Sequence, residues 1–203
     1  MNLIAVEPIQ KIFHVLRRNL SGYTKIHELK CLRYGVGANC GERGLFHYYV
    51  NMPGESTRNF MERSAQRNLL KTAVLNDEGG YADHCNDDQF ISEECPMITL
   101  SELMRLHEVK QIDLLKVDVE GDELEVLKGI DEMSFEKIRQ IAIEVHDIEG
   151  RLSKISHLLQ ASGFHKVSIH QQTGSISNDG LYQSFVPESL KLYLVYATKN
   201  QAS

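Results

Sequence analysis

The chain reads as an α/β protein built on a mostly parallel sheet with helices on both faces. Apolar strand-like runs alternate with stretches of helical spacing, and two of those runs end in acidic residues directly ahead of a turn or helix. A closing pair of strand-like runs with only a loop between them adds an antiparallel hairpin at one edge. Open sheets of this kind set their ligands at the carboxyl ends of the strands, the plan of nucleotide-binding domains.

Taken in order, residues 2–6 form a short apolar strand stopped by Glu7-Pro8. Ile9, Ile12, Phe13, Leu16 and Leu20 follow at helical spacing, with Lys11, Arg17 and Arg18 on the solvated side, and Ser21-Gly22 ends the helix. Residues 26–34 and 45–50 read as the second and third strands, with Gly35-Val36-Gly37-Ala38-Asn39-Cys40-Gly41 between them as a hairpin turn. Residues 51–59 read as a loop from their Pro-Gly and Ser-Thr content, and the acidic, polar stretch 76–94 as a surface excursion. Thr99-Leu100-Ser101 opens a helix running to His107, with Leu103, Met104 and Leu106 as its buried side.

Residues 112–119 form the next strand, ending in Asp118 and Glu120, with a turn at Gly121 and a helix that opens at once. Asp122 and Glu125 have the D-x-x-E spacing of a capping box. Residues 138–145 make another strand, ending in Glu144 and His146. Leu152, Ile155, Leu158 and Leu159 mark one face of a helix that stops at Gly163. Residues 167–170 and 192–197 are the last two strands. There are no internal repeats.

At 203 residues the expected organisation is a single domain, 1–203. With 42% hydrophobic and 25% charged residues the balance is that of a globular protein, and a net charge of -6 argues against a nucleic-acid backbone as partner. No apolar run approaches the roughly 18 residues of a membrane span, and Glu7-Pro8 interrupts the only apolar opening segment, so neither a span nor a signal peptide is expected. Four cysteines without C-x-x-C spacing are expected as free thiols, and the cytoplasm as the compartment.

Glu7, at a strand tip before a helix, has the placement of a carboxylate that accepts hydrogen bonds from the ribose hydroxyls of a nucleotide cofactor; an exposed turn glutamate before proline is the plainer reading. Asp118 and Glu120 lie two apart, so an extended strand points both to one face, where they can meet a bound cation or amine. Asp118 sits inside an apolar run and needs a partner, which Lys116 can also supply. Glu144 and His146 end the next strand in the same alternation, and if the two strands are neighbours this pair lies across the same edge from Asp118. His146 there is either a general base for a hydroxyl or a turn histidine that caps residues 147–150. The glycines of 35–41 do not follow an apolar strand and open no helix, which argues against a cofactor loop. No metal-ligating set is expected: His84, Asp87 and Asp88 read as a solvated acidic loop.

Residues 112–123, Ile-Asp-Leu-Leu-Lys-Val-Asp-Val-Glu-Gly-Asp-Glu, continuing to Val126-Leu127-Lys128-Gly129, closely resemble the signature of the FkbM-type methyltransferases. Ala5-Val6-Glu7-Pro8 is similar to their second-strand motif. Glu144-Val145-His146-Asp147, Gly150-Arg151-Leu152, Gly163-Phe164 and the stretch 49–57 resemble the versions found in peptide-synthetase and polyketide assembly lines. The likeness spans roughly residues 3–197. It implies a Rossmann-like class I fold and an S-adenosylmethionine-dependent enzyme, mostly an O-methyltransferase of sugar, lipid, polyketide or peptide hydroxyls.

Carried over by position, Glu7 binds the ribose, and Asp118, with Glu120, faces the methionine end of the cofactor or the acceptor. Glu144 and His146 border the acceptor pocket, and Asp118 and His146 are the catalytic candidates. The expected partner is a small-molecule or carrier-bound acceptor, in a larger synthetase or a homo-oligomer. Family members begin with a strand and a loop of the type D-x-G-A-N-x-G; here only residues 1–4 precede Ala5, and Gly37-Ala38-Asn39-Cys40-Gly41 falls after Glu7. The fold is therefore expected to be N-terminally incomplete, which keeps a non-catalytic Rossmann-like remnant or protein-binding module as the alternative.

Overall fold

The computed structural model describes residues 1–50, 52–74, 89–172 and 191–199. Their elements run β1 (Asn2–Val6), α1 (Gln10–Leu20), β2 (Glu28–Leu32), β3 (Gly35–Val36), β4 (Arg43–Tyr49), β5 (Met52–Thr57), α2 (Phe60–Val74) and β6 (Phe90–Ile98). Then come α3 (Leu100–Leu106), β7 (Leu115–Val117), α4 (Glu123–Lys128), α5 (Glu132–Glu136), β8 (Gln140–His146), α6 (Arg151–Ala161), β9 (Lys166–Gln172) and β10 (Leu192–Thr198).

The strands form three sheets with the orders β1-β2, β7-β8-β10-β9 and β3-β6-β4-β5. Pairs β1/β2, β3/β6 and β7/β8 are parallel, whereas β4/β5, β4/β6, β8/β10 and β9/β10 are antiparallel. The α/β class and the closing hairpin are as expected, but the sheets are mixed rather than mostly parallel. The difference comes from residues 52–57, which read as loop, and 90–98, whose first half reads as excursion and whose second half carries no assignment: both are strands that pair antiparallel with β4. Residues 75–88, including His84, Asp87 and Asp88, lie outside the described residues.

The stretch 35–41 is not a hairpin turn. Gly35 and Val36 pair in parallel with Met97 and Ile98, so β6 separates β3 from β4. Small residues are needed here for packing: a Cβ on Gly35 would lie 2.4 Å from the Phe46 ring, and one on Gly129 would lie 2.2 Å from the Gly37 carbonyl oxygen. This close backbone approach joins β3 to the end of α4.

The main core lies between β8 and the helices. Strand β8 alternates strictly, burying Ile141, Ile143 and Val145 against Leu127, Ile155, Leu159 and Phe164. That period of two leaves Ala142, Glu144 and His146 on the opposite face. A smaller cluster gathers Ile9, Phe46, Tyr48, Cys95 and Met97. Helix α1 keeps Lys11, Arg17 and Arg18 exposed as expected, yet none of its residues is fully buried. In α3, Leu103 and Met104 are buried as expected, but Leu106 is exposed because its last turn runs out into solvent. Cys31, Cys40 and Cys95 are free thiols. Among the described residues no helix is long and apolar enough to cross a membrane.

Candidate functional site

Strands β7 and β8 are parallel neighbours, with Leu115 opposite Ile141 and Val117 opposite Ile143. Their carboxyl ends therefore open on the same edge. The strand stops at Val117, two residues earlier than the spacing suggests, and the chain turns. Glu120 takes φ +50°, the left-handed region that non-glycine residues rarely occupy, and Gly121 follows at φ +109°. Asp118 and Glu120 consequently do not share a strand face. Asp118 pairs with Lys116 (Nζ to Oδ2 2.7 Å) with its side chain about a third exposed, while Glu120 turns inward.

Glu120 comes beside His146, with Oε2 3.3 Å from Nε2. On the other side of the ring, Nδ1 lies 3.1 Å from Glu123 Oε1. Glu123 is completely buried, and the same oxygen accepts the backbone N–H of Gly121 at 2.8 Å. Arg151, at the start of α6, sits 3.4 Å from Glu123 Oε2, donates to the His146 carbonyl at 2.7 Å, and grips Glu62 with Nη2 at 3.0 and 2.9 Å. Arg63 Nη2 lies 3.5 Å from Glu120 Oε2.

The turn is held from outside by the junction of β5 and α2. Thr57 Oγ1 donates to the Glu120 carbonyl at 2.7 Å, and Asn59 Nδ2 donates to the Gly121 carbonyl and to Asp122 Oδ1. Arg58 Nε donates to Asp122 Oδ2 at 2.7 Å. Asp122 therefore spends both oxygens on this junction and makes no side-chain cap bond to α4, in place of the expected capping box. Thr57, Asn59, Arg63, Glu123 and Arg151 are given no site role by the sequence, although Thr57, Glu123 and Arg151 lie in its family-like motifs. The one local sign was the spacing of Glu120 and Glu123 around Gly121.

Burial pushes the Glu120 carboxyl above its ordinary range, helped by the nearby Asp118 and Glu144 and opposed by Arg63 and His146. Burial pulls the His146 ring down, but the Glu123 hydrogen bond and the Glu120 and Glu123 charges outweigh it, so its pKa is raised. The edge thus favours holding a proton. Glu120, Glu144 and His146 each place one ligand-type atom within 4.8 Å of the others, close enough to embrace a cation. The Arg63 guanidinium already supplies positive charge there.

Glu7 does not join this group. It ends β1, and its Oε1 accepts the Ile9 N–H at 2.8 Å, at the start of α1. The Glu93 carboxylate acts on it, and Glu93 in turn pairs with Arg33, which also donates to the Pro8 carbonyl. Burial raises the Glu7 carboxyl. A surface cavity of about 830 Å³, lined by Cys40, Thr99, Arg105, Lys110, Lys137 and Arg139 among others, contains none of the residues of the β7–β8 edge. Arg105, Lys110, Lys137 and Arg139 in its lining are exposed, so its size does not make it the site.

The model of the methyltransferase FkbM domain matches residues 2–166. The chain is 33% identical over 189 residues to the AMB antimetabolite synthetase AmbE of Pseudomonas aeruginosa, covering 83% of this chain and 8% of that protein. It is 32% identical over 173 residues to methyltransferase sdnD of Sordaria araneosa, covering 80% and 64%. With the 31-O-demethyl-FK506 methyltransferase FkbM of Streptomyces tacrolimicus the identity is 33% over 111 residues, covering 51% and 42%. The chain spans less than two thirds of the length of each of these relatives. No solved structure matches it. With the family's domain matched over most of its length, and its acidic signature placed at the carboxyl edge of β7 and β8, the chain belongs to the FkbM methyltransferase domain family.

Proposed function

We propose that this chain is an S-adenosylmethionine-dependent methyltransferase that methylates a hydroxyl of a small-molecule, sugar, peptide or polyketide acceptor. The observation that carries the reading is the meeting of Glu120, Glu144 and His146 at the shared carboxyl edge of two parallel strands, within a methyltransferase-family domain. The Streptomyces relative is named for an O-demethyl substrate, which supports oxygen as the acceptor atom.

The residues fit the cofactor by the chemistry of their donor set. Carboxylates at the ends of β1 and β7 suit hydroxyls and an ammonium group: Glu7 for the ribose and Asp118 for the methionine end, while Glu120 lies against His146 on the acceptor side. S-adenosylmethionine supplies a methyl group on a positively charged sulfur. Glu144 and His146 border the acceptor, and His146 or Asp118 assists removal of the hydroxyl proton. Catalysis comes chiefly from holding donor and acceptor in line.

Isothermal titration of the folded chain with S-adenosylmethionine tests this. Saturable one-site binding is expected. Two observations favour the second reading, a partner-binding module that has lost its cofactor: α1 has no fully buried residue, and among the described residues β1 and β7 each pair on one side only. A folded sample that takes up no cofactor would establish that second reading instead.

A further inference from the structure

Both ring nitrogens of His146 face carboxylate oxygens, Nδ1 at 3.1 Å and Nε2 at 3.3 Å. A neutral imidazole has one N–H and one lone pair, so one of these contacts needs a proton from elsewhere. The surroundings decide which side is fixed. Glu123 Oε1 also accepts the Gly121 N–H, so it acts as an acceptor and calls for an N–H at Nδ1. It cannot turn away, since it is completely buried and Arg151 sits against its other oxygen, itself gripped by Glu62. The Nε2 side is different: it looks toward Glu120, beside Asp118 and Glu144, at the edge proposed for the acceptor.

We propose that Glu123 is the positioning residue that fixes His146 with its proton on Nδ1, and that His146 Nε2 and Glu120 Oε2 act as one pair accepting the hydroxyl proton of the acceptor. The assignment rests on the methyl-transfer reading of this edge. In the step, the acceptor O–H bond breaks, the proton lodges between Nε2 and Oε2, and the electron pair stays on the oxygen as the nucleophile. Burial, which raises Glu120, and the paired carboxylates, which raise His146, both favour a proton between them.

The charged groups that face the ring come from every side. Glu120 approaches from the turn after β7, where Asp118 acts on it in turn, Glu123 from α4, and Glu144 from β8 itself. Arg63 on α2 and Arg151 on α6 oppose them, and Arg63 lowers both members of the pair, which lets the proton leave again. Glu123 thus plays the part of the carboxylate that orients a catalytic histidine in hydrolytic triads, without itself touching substrate.

The test is nitrogen NMR of the full chain labelled in its histidine rings, with His146 assigned through His146→Gln. In the wild type the neutral ring is expected to carry its proton on Nδ1. Glu123→Gln can donate through its amide, so it should raise the share of the Nε2–H form and lower the ring midpoint by about one pH unit, a roughly tenfold loss of proton affinity. Glu123→Asp should keep the wild-type tautomer. An Nε2–H ring in the wild type, or an unmoved tautomer and midpoint in Glu123→Gln, overturns the proposal.

If Glu123→Gln does not fold, Glu120→Gln decides the pair: it should lower the His146 midpoint and leave the tautomer on Nδ1, and an unchanged midpoint refutes the shared proton. These readouts need neither cofactor nor acceptor. A failed cofactor titration therefore removes the methyl-transfer reading alone, and a wrong tautomer removes the positioning role alone.

Discussion

Thr57 Oγ1 donates to the carbonyl of Glu120 at 2.7 Å, while the same oxygen accepts the Asn59 N–H at 2.9 Å. One buried hydroxyl thereby ties the end of β5 to the residue at φ +50° that turns into the site. A left-handed glutamate costs on the order of 1 kcal/mol or more and persists only where its neighbours impose it. Thr57→Val keeps the shape and removes both bonds. It is expected to destabilise the fold by about 1–3 kcal/mol, read as a lower urea midpoint with an unchanged slope. An unchanged midpoint would mean that Asn59 and Arg58 hold the turn without it.

Two glycines should respond oppositely to alanine. At Gly129 the added Cβ meets the Gly37 carbonyl oxygen at 2.2 Å, a backbone atom that cannot rotate away. Gly129→Ala is expected to cost roughly 1–3 kcal/mol. At Gly22 nothing lies within 4 Å, so Gly22→Ala should be neutral or stabilise by up to about 1 kcal/mol. Thermal melts of the two variants give the comparison, and equal melting temperatures would contradict the close β3–α4 approach.

The Glu7 carboxyl is raised above its ordinary range, mainly by burial, with Glu93 adding to the rise and the Ile9 N–H opposing it. A raised carboxyl favours the folded state when protonated. Its contribution is full below the unfolded value and is lost as pH climbs through the folded one. Glu7→Gln keeps an acceptor for Ile9 and carries no charge. The variant should therefore be more stable than the wild type near pH 7, with the difference vanishing below about pH 4. Urea unfolding across that range checks the sign, and a Gln variant weaker at neutral pH would refute it.

Among the described residues Asp118 pairs with Lys116, and their side chains are 35% and 68% exposed. A solvated pair of this kind contributes about 0–1 kcal/mol, so Asp118→Asn should fold normally. Its expected effect is functional: S-adenosylmethionine affinity should fall by about tenfold or more, roughly 1.4 kcal/mol. Calorimetric titration beside a thermal melt separates the two effects. Wild-type affinity in the variant would take Asp118 out of the site.

Local spacing was enough for much of this molecule. The alternation of β8 places Ile141, Ile143 and Val145 inside and Glu144 and His146 outside, and the helical repeat of Ile155 and Leu159 names the helix that covers them. Such periods repeat over a few residues, and burial of one face enforces them. The 112–130 segment likewise carried its family resemblance in its letters. Legibility failed where polar residues form structure by pairing at a distance. Residues 52–57 look like a loop because Pro53, Gly54, Glu55 and Ser56 have no strand propensity, yet they pair beside β4.

The candidate site divides along the same line. Glu144 and His146 could be placed on one face from their own strand, but their nearness to the β7 end is fixed by the pairing of β7 with β8. That Glu120, rather than Asp118, reaches the histidine depends on a left-handed turn sustained by Thr57 and Asn59, more than 60 residues earlier in the chain. The roles of Glu123, Arg63 and Arg151 depend on four elements meeting around one ring. Short-range patterning encodes which faces are apolar. Contacts between distant segments choose which carboxylate is desolvated, and desolvation sets its chemistry.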